Sequence, residues 1–104
     1  MIGEFEYLLL SSAAALGEGA YGAAVRDAIK EVTKRNVSIG AIYVTLDRLE
    51  AKGLVTTYMG EATAQRGGRA KRMIRVSPQG TQAARNFFET VMRASRGTSW
   101  VTES

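Results

Sequence analysis

The sequence predicts a mainly α-helical fold with one small β-hairpin, in the order helix, helix, helix, hairpin, helix. Apolar side chains recur at helical spacing over most of the 104 residues, and the period changes to two over a short stretch in the second half. Glycine, serine and the single proline stand at the ends of the periodic segments, where helices begin and end. The chain has the size of one small domain, and it contains no internal repeat and no linker long enough to divide it.

The first two helices are predicted over residues 4–16 and roughly 20–34. Gly17 and Gly19 end the first of them. Its apolar run lacks the preceding basic residues of a signal peptide and is too short to span a bilayer, so we expect a buried helix in a cytoplasmic protein with no membrane partner. The apolar positions are Phe5, Leu9, Ser12 or Ala13, and Leu16 in the first helix, and Tyr21, Val25, Ala28, Ile29 and Val32 in the second.

The third helix is predicted to begin after Ser38, whose hydroxyl is placed to cap a free amide of the first turn. Gly53 stands where a left-handed C-terminal cap is expected. One apolar stripe is predicted to be buried: Ile39, Ile42, Leu46 and Leu49. The opposite face is then predicted to carry or adjoin Ser38, Ala41, Thr45, Arg48 and Lys52.

Two alternating segments, 55–61 and 71–76, predict a hairpin with a nine-residue tip that contains Gly67 and Gly68. Ser77 followed by Pro78 predicts the start of a fourth helix. We therefore expect a winged helix-turn-helix domain over 1–76, a C-terminal dimerisation helix over 77–96 and a flexible tail over 97–104. In such a fold the third helix enters the major groove of DNA.

The charge is concentrated in one short segment. The net charge is +4, yet residues 1–65 carry six basic and eight acidic side chains, while 66–75 carry five basic and none acidic. A cationic segment on a near-neutral body is typical of contact with a polyanion made by one element. The five basic residues are Arg66, Arg69, Lys71, Arg72 and Arg75.

The composition argues against catalysis. The chain has no cysteine and no histidine, which excludes disulfides, thiolate metal sites and the commonest general base. We identify no nucleophile–base arrangement, no carboxylate pair and no phosphate-cradling loop. We therefore predict that the protein is not an enzyme and uses no cofactor or metal.

The third helix supplies one set of predicted DNA-binding residues. Small groups at 38, 41 and 45 would let the helix lie close to base edges, and Thr45 could both hydrogen-bond and contact a thymine methyl. Tyr43 has two interpretations: its hydroxyl contacts a phosphate, or its ring packs at the edge of the core against the wing. The predicted set is Ser38, Ala41, Tyr43, Thr45 and Arg48.

The hairpin supplies the second set. Basic side chains at a glycine-rich tip suit insertion along the minor groove or contact with phosphates. The alternative is a solvated loop whose charges discourage edge-to-edge strand pairing, although such a loop would normally mix signs. The predicted residues are Arg66, Gly67, Gly68, Arg69, Lys71 and Arg72.

Three segments, in order, resemble the PadR family of transcriptional regulators. The segment 38–55, SIGAIYVTLDRLEAKGLV, is similar to the family's signature helix; 66–72, RGGRAKR, resembles its wing tip; and 76–80, VSPQG, resembles the entry to its C-terminal helix. Val44 and Ala70 stand where the family usually has proline, which leaves the details of contact geometry open. The C-terminal region resembles the short branch of the family.

The resemblance implies a repressor that binds double-stranded DNA as a homodimer on a pseudo-palindromic operator. It also implies dimerisation through the last helix packed with the first of the other copy. Some members release DNA when a small aromatic or cationic effector binds at the dimer interface, and Trp100 either lines such a site or belongs to a disordered tail. The implied interface residues are Phe5, Leu8, Leu9, Phe87, Phe88 and Val91.

Three alternatives to DNA-binding repression are compatible with the sequence to different degrees. A winged helix can serve protein–protein assembly, with the wing charges on an acidic partner and only non-specific nucleic-acid binding. RNA binding is less favoured because the wing lacks aromatic residues for base stacking. Enzymatic activity is the least favoured.

Overall fold

A computed structural model describes residues 1–60 and 71–101 of the chain. The first two helices are α1, Glu4–Leu16, and α2, Gly22–Thr33, joined by a 3₁₀ turn over Gly17–Gly19. The remaining elements are α3, Ile39–Ala51; β1, Val55–Met59; β2, Arg72–Val76; and α4, Pro78–Ser95. The predicted order of four helices and one hairpin is confirmed.

The predicted helix ends are confirmed in their chemistry as well as in their position. The Ser38 hydroxyl accepts a hydrogen bond from the amide of Ala41 at 3.1 Å, which satisfies one of the free donors of α3. Gly53 follows α3 with a φ of +76°, a conformation that costs glycine nothing. Pro78 is the first residue of α4, where its missing amide hydrogen is not needed.

The core is formed where α1, α2, α3 and the hairpin meet. Ile39, predicted to lie in the buried stripe of α3, is instead partly exposed, because it opens the helix one turn ahead of Ile42, the first buried residue of α3. The largest fully buried side chains are Leu9, Leu10, Ile29, Ile42, Leu46, Leu49, Val25 and Val55.

The hairpin is antiparallel, with Val55 opposite Val76 and Met59 opposite Arg72. A third segment, Ala20 and Tyr21, pairs with β2, although no alternating pattern predicts a strand there. The amide of Ile74 donates to the carbonyl of Ala20 at 2.9 Å, and Tyr21 forms an isolated bridge with Met73. This pairing attaches β2 to the corner between α1 and α2. The predicted tip, 62–70, lies outside the described residues.

The start of α4 is fastened to the end of α3 through Ser77. Its hydroxyl accepts from the amide of Gly80 at 3.0 Å and donates to the carbonyl of Gly53 at 2.7 Å. Its own amide donates to the carbonyl of Leu54 at 3.0 Å. One side chain therefore caps α4 and ties it to the turn after α3.

We expect Ser77→Ala to lower the free energy of unfolding by about 1–2 kcal/mol, because the cap and the bond to Gly53 are lost together. Chemical denaturation would measure this, with Ser77→Thr as the matched control that keeps the hydroxyl. If the alanine variant were as stable as the parent chain, the capping role assigned to Ser77 would be wrong.

The N-terminal turn of α1 contacts the end of α3. The ammonium of Lys52 lies 2.8 Å from a carboxylate oxygen of Glu6, and the amide of Gly3 donates to the other oxygen at 3.0 Å. The hydrogen bond from Lys52 is the main reason why the pKa of Glu6 lies below its usual value. These contacts join the start of α1 to the end of α3.

The last helix lies against α1. The rings of Tyr7 and Phe87 stack with their centroids 4.8 Å apart. Beyond α4 the structure describes turns up to residue 101, with Trp100 exposed. Residues 102–104 of the predicted flexible tail lie outside the described part of the chain, and the flexibility stays a prediction.

Candidate nucleic-acid interface

The outward face of α3, meaning the side turned away from α1, carries small and apolar side chains in its first half. Val44 lies near the middle of this face and is 54% exposed. Gly40 lies one turn before it, and no atom outside the local turn would obstruct a β-carbon there. The exposed residues of α3 are Ile39, Gly40, Ala41, Tyr43, Val44, Asp47, Arg48, Glu50 and Ala51.

Thr45 is not on that face, and its predicted placement opposite the apolar stripe is wrong. The residue is only 7% exposed, because it follows Ile42 by three positions and precedes Leu49 by four, which places all three on one side of a helix. The burial of Thr45 could not be predicted from a buried stripe defined by apolar residues alone. Val44 occupies the outward position instead.

The other predicted residues of α3 are exposed. Tyr43 packs over the first residue of α2, since a β-carbon on Gly22 would come within 2.8 Å of the Tyr43 hydroxyl. The ring therefore packs within the domain, as one interpretation predicts, but against α2 and not against the wing. The Tyr43 side of α3 also stays open to solvent, and a phosphate contact there remains a prediction.

Two basic side chains of the hairpin lie over aromatic rings. The ammonium of Lys71 is 4.1 Å from the ring centroid of Tyr21, and the guanidinium carbon of Arg75 is 4.7 Å from that of Tyr58. Such cation–π contacts hold a charge in place without neutralising it. The predicted wing residues Arg66, Gly67, Gly68 and Arg69 lie outside the described residues.

Arg72 differs from the other predicted wing cations. Its guanidinium lies 3.3 Å from a carboxylate oxygen of Asp47 and 3.0 Å from one of Glu50. Its sequence position predicts a charge that faces DNA, whereas the structure gives it two acidic partners on α3. No local pattern in the sequence indicates these contacts, because Asp47 and Glu50 lie 25 and 22 positions from Arg72 in the chain.

The residues predicted for a dimer interface divide into two groups. Leu9 is fully buried inside its own chain, in the core that α1 shares with α2 and α3, so its predicted place in an interface is wrong. Phe5, Leu8 and Phe87 are half-buried against the same core. Phe88 and Val91, at 51% and 46% exposed, remain on the open side of α4.

A groove of about 550 Å³ lies beside that open side of α4. It is lined by Tyr7 and Leu8 of α1 and by Phe87 and Val91 of α4, among others. Glu4 and Arg35 border it and lie 3.7 Å apart. An apolar floor with a charged rim is typical of a protein–protein interface.

Two kinds of site do not occur in the part of the chain that the structure describes. Over residues 1–60 and 71–101, no group of three acidic side chains comes close enough to hold a metal ion. Among the helices described, none is both long enough and apolar enough to cross a membrane.

Comparison with known proteins gives a family match over most of the chain. The model of the transcriptional regulator PadR-like family matches residues 10–86. Among curated protein sequences, none matches the chain significantly.

Several solved structures share the fold. A transcriptional regulator from Clostridium thermocellum superposes with a TM-score of 0.71 at 22% identity, over 93% of this chain and 92% of that one. A PadR-like transcriptional regulator from Bacillus cereus gives a TM-score of 0.73 at 20% identity, over 88% and 84%. RosR of H. salinarum gives 0.68 at 23% identity, over 94% and 81%. The matches confirm the predicted winged-helix fold.

Proposed function

This chain belongs to the transcriptional regulator PadR-like family, and from that premise we propose that it represses transcription as a homodimer bound to a pseudo-palindromic operator. In this proposal it acts in the cytoplasm on double-stranded DNA and catalyses no reaction. The observation that carries the proposal is the first half of the outward face of α3, where Gly40, Ala41 and Val44 are exposed and small enough to let the helix approach base edges.

The readout is assigned to the first half of α3. Gly40 and Ala41 permit close approach, and Val44 offers methyl groups to the methyl of thymine. Arg48, one turn further along, is exposed at the edge of this face, and we assign to it a contact with a base edge or a phosphate. Thr45, being buried, supports the helix from behind rather than reading bases.

The hairpin and the helix start are assigned to the phosphate backbone. Lys71, held over the ring of Tyr21, and the predicted cations Arg66 and Arg69 would supply contacts that hold for any sequence. The hydroxyl of Ser38, at the start of α3, and that of Tyr43, beside the start of α2, are assigned to phosphates as well. These contacts would fix the register of α3 on the duplex without specifying bases.

The dimer is assigned to the open side of α4 and the adjoining groove. Phe88, Val91 and Met92 form an exposed apolar stripe on a helix that is otherwise polar on that side. Burial of such a stripe against a second copy would place two α3 helices on one duplex, about 34–36 Å apart, one turn of DNA. A small aromatic or cationic effector that binds at this interface would change that spacing and release the operator.

A double variant, Phe88→Glu and Val91→Glu, is expected to raise the dimer dissociation constant by at least about thirtyfold, because two negative charges replace the apolar centre of the interface. Sedimentation equilibrium would measure it. Met59→Glu is the control for added surface charge, since Met59 is 65% exposed on β1 and is not among the residues that line the groove. A double variant that stays dimeric would place the interface elsewhere.

Selection of bound duplexes from a random pool tests the operator proposal. We expect enrichment of two inverted half-sites, one helical turn apart, after repeated rounds with the full chain. Recovery without any shared sequence would instead support a winged-helix module for protein assembly, whose basic wing binds nucleic acid non-specifically.

A further inference from the structure

Arg72 occupies a particular place on the hairpin. It forms the last strand pair, opposite Met59, before the amide of Gly60 donates to the carbonyl of Lys71 at 2.7 Å. Because side chains alternate across a strand, Arg72 lies on the same side of β2 as the buried Ile74. That side faces α3.

Three side chains from α3 and β1 complete a cluster around it. The guanidinium donates to Asp47 at 3.3 Å and to Glu50 at 3.0 Å, and the second carboxylate oxygen of Glu50 accepts from the Thr57 hydroxyl at 2.7 Å. Glu50 therefore holds both strands, with one oxygen for each. We call Asp47, Glu50, Thr57 and Arg72 the wing cluster.

The wing cluster contributes little to overall stability. The side chains of Arg72, Glu50 and Asp47 are 31%, 42% and 68% exposed, and ion pairs in that range add little to the free energy of folding. Near Val55 and Ile74 the hairpin is held by the buried core. At the other end of the hairpin, near Met59 and Arg72, the described side chains that join the strands to α3 are those of the wing cluster. A planar guanidinium between two carboxylates restricts the angle between the hairpin and α3.

We propose that Arg72 is a positioning residue: through Asp47 and Glu50 it fixes the direction in which the hairpin leaves the domain relative to α3. The inference rests on the proposed DNA-binding function, since that angle decides whether wing and helix reach the duplex together. Arg72 then contributes to affinity through α3 and not as a phosphate contact.

The other cations of β2 and its approach provide the contrast. Lys71 and Arg75 have aromatic rings beneath them, and neither forms an ion pair among the described residues. Arg75 is the matched control because it stands on the same strand, carries the same charge and lies opposite Thr56 on the other side of the hairpin.

Amide hydrogen exchange tests the positioning without DNA. We expect Arg72→Gln to raise the exchange rate of the Gly60 amide about three- to fivefold, while the rate of the Ile74 amide stays unchanged. The double variant Asp47→Asn, Glu50→Gln should have the same effect, and Arg75→Gln should have none. Unchanged exchange at Gly60 in both cluster variants would overturn the inference whatever the protein binds.

A double-mutant cycle on affinity for the selected duplex tests the consequence. In the parent chain we expect Arg72→Gln to weaken binding about three- to tenfold, with the salt slope unchanged. In the Asp47→Asn, Glu50→Gln background the same change should have little further effect. A loss that persists in this background, with the slope reduced by about one unit, would make Arg72 a phosphate contact and overturn the inference. If the parent chain shows no sequence preference, the proposed function fails, while the exchange result still stands on its own.

Discussion

Replacing Ala41 with glutamate is expected to abolish specific DNA binding while the domain stays folded. The residue is exposed in the first turn of α3, next to the surface assigned to base readout. A carboxylate there would face the phosphates, and like-charge contact at an interface costs several kcal/mol, on the order of a hundredfold or more in affinity. Fluorescence anisotropy with the selected duplex would measure the loss.

The same substitution should not harm the fold. Ala41 is the third residue after the Ser38 cap, so Ala41→Glu completes a capping box and places a negative charge at a helix N-terminus, both of which favour the helix. Ala41→Gln is the matched control: it has the same shape and capping ability without the charge. Equal binding by the glutamate variant and the parent chain would show that α3 does not enter the duplex.

Replacing Gly80 with alanine is expected to lower the free energy of unfolding by about 3 kcal/mol or more, since overpacking against rigid backbone cannot be relieved by rotamer changes. A β-carbon at this buried position would overlap the carbonyl oxygen of Leu54 and come 2.9 Å from a methyl of Val76. The start of α4 would have to move away from the hairpin. Urea denaturation would measure the change.

Gly40→Ala is the matched control for this prediction. Both glycines lie in the first turn of a helix that a serine caps, yet a β-carbon on Gly40 would meet only the Ser38 hydroxyl at 4.0 Å. Alanine there is expected to be neutral or to stabilise α3 by up to about 1 kcal/mol, because glycine loses more backbone freedom on folding. If the two substitutions had similar effects, the close contact between α4 and Leu54 would not be a feature of the folded chain.

The fold could be predicted from local sequence signals, because residues that begin or end a helix stand next to the helix that they affect. Ser38, Gly53, Ser77 and Pro78 act within a few residues of where they stand, so their positions alone predict where α3 and α4 begin or end. The change of period after Leu54 likewise marks the strands. The pairing of Ala20 with Ile74 could not be predicted, since one backbone hydrogen bond leaves no side-chain pattern.

The candidate interface could be predicted less completely than the fold, because it depends on contacts between residues that are far apart in the sequence. The predicted exposure of Thr45 is wrong because a polar residue type predicts an exposed position, whereas this threonine is buried with Ile42 and Leu49. The predicted contact of Leu9 with a second copy is wrong because Leu9 is part of the hydrophobic core of its own chain. Arg72 was counted as a free charge, since nothing local indicates that Asp47 and Glu50 lie beside it.

The most direct test of the central claim is a titration of the full chain with the selected duplex and with a scrambled duplex of equal length, at two salt concentrations. A specific regulator should prefer the selected duplex by on the order of a thousandfold, with one dimer bound per site and a preference that persists at the higher salt. Equal, weak and steeply salt-dependent binding to both duplexes would contradict the account, because it would mean that the basic wing alone contacts DNA.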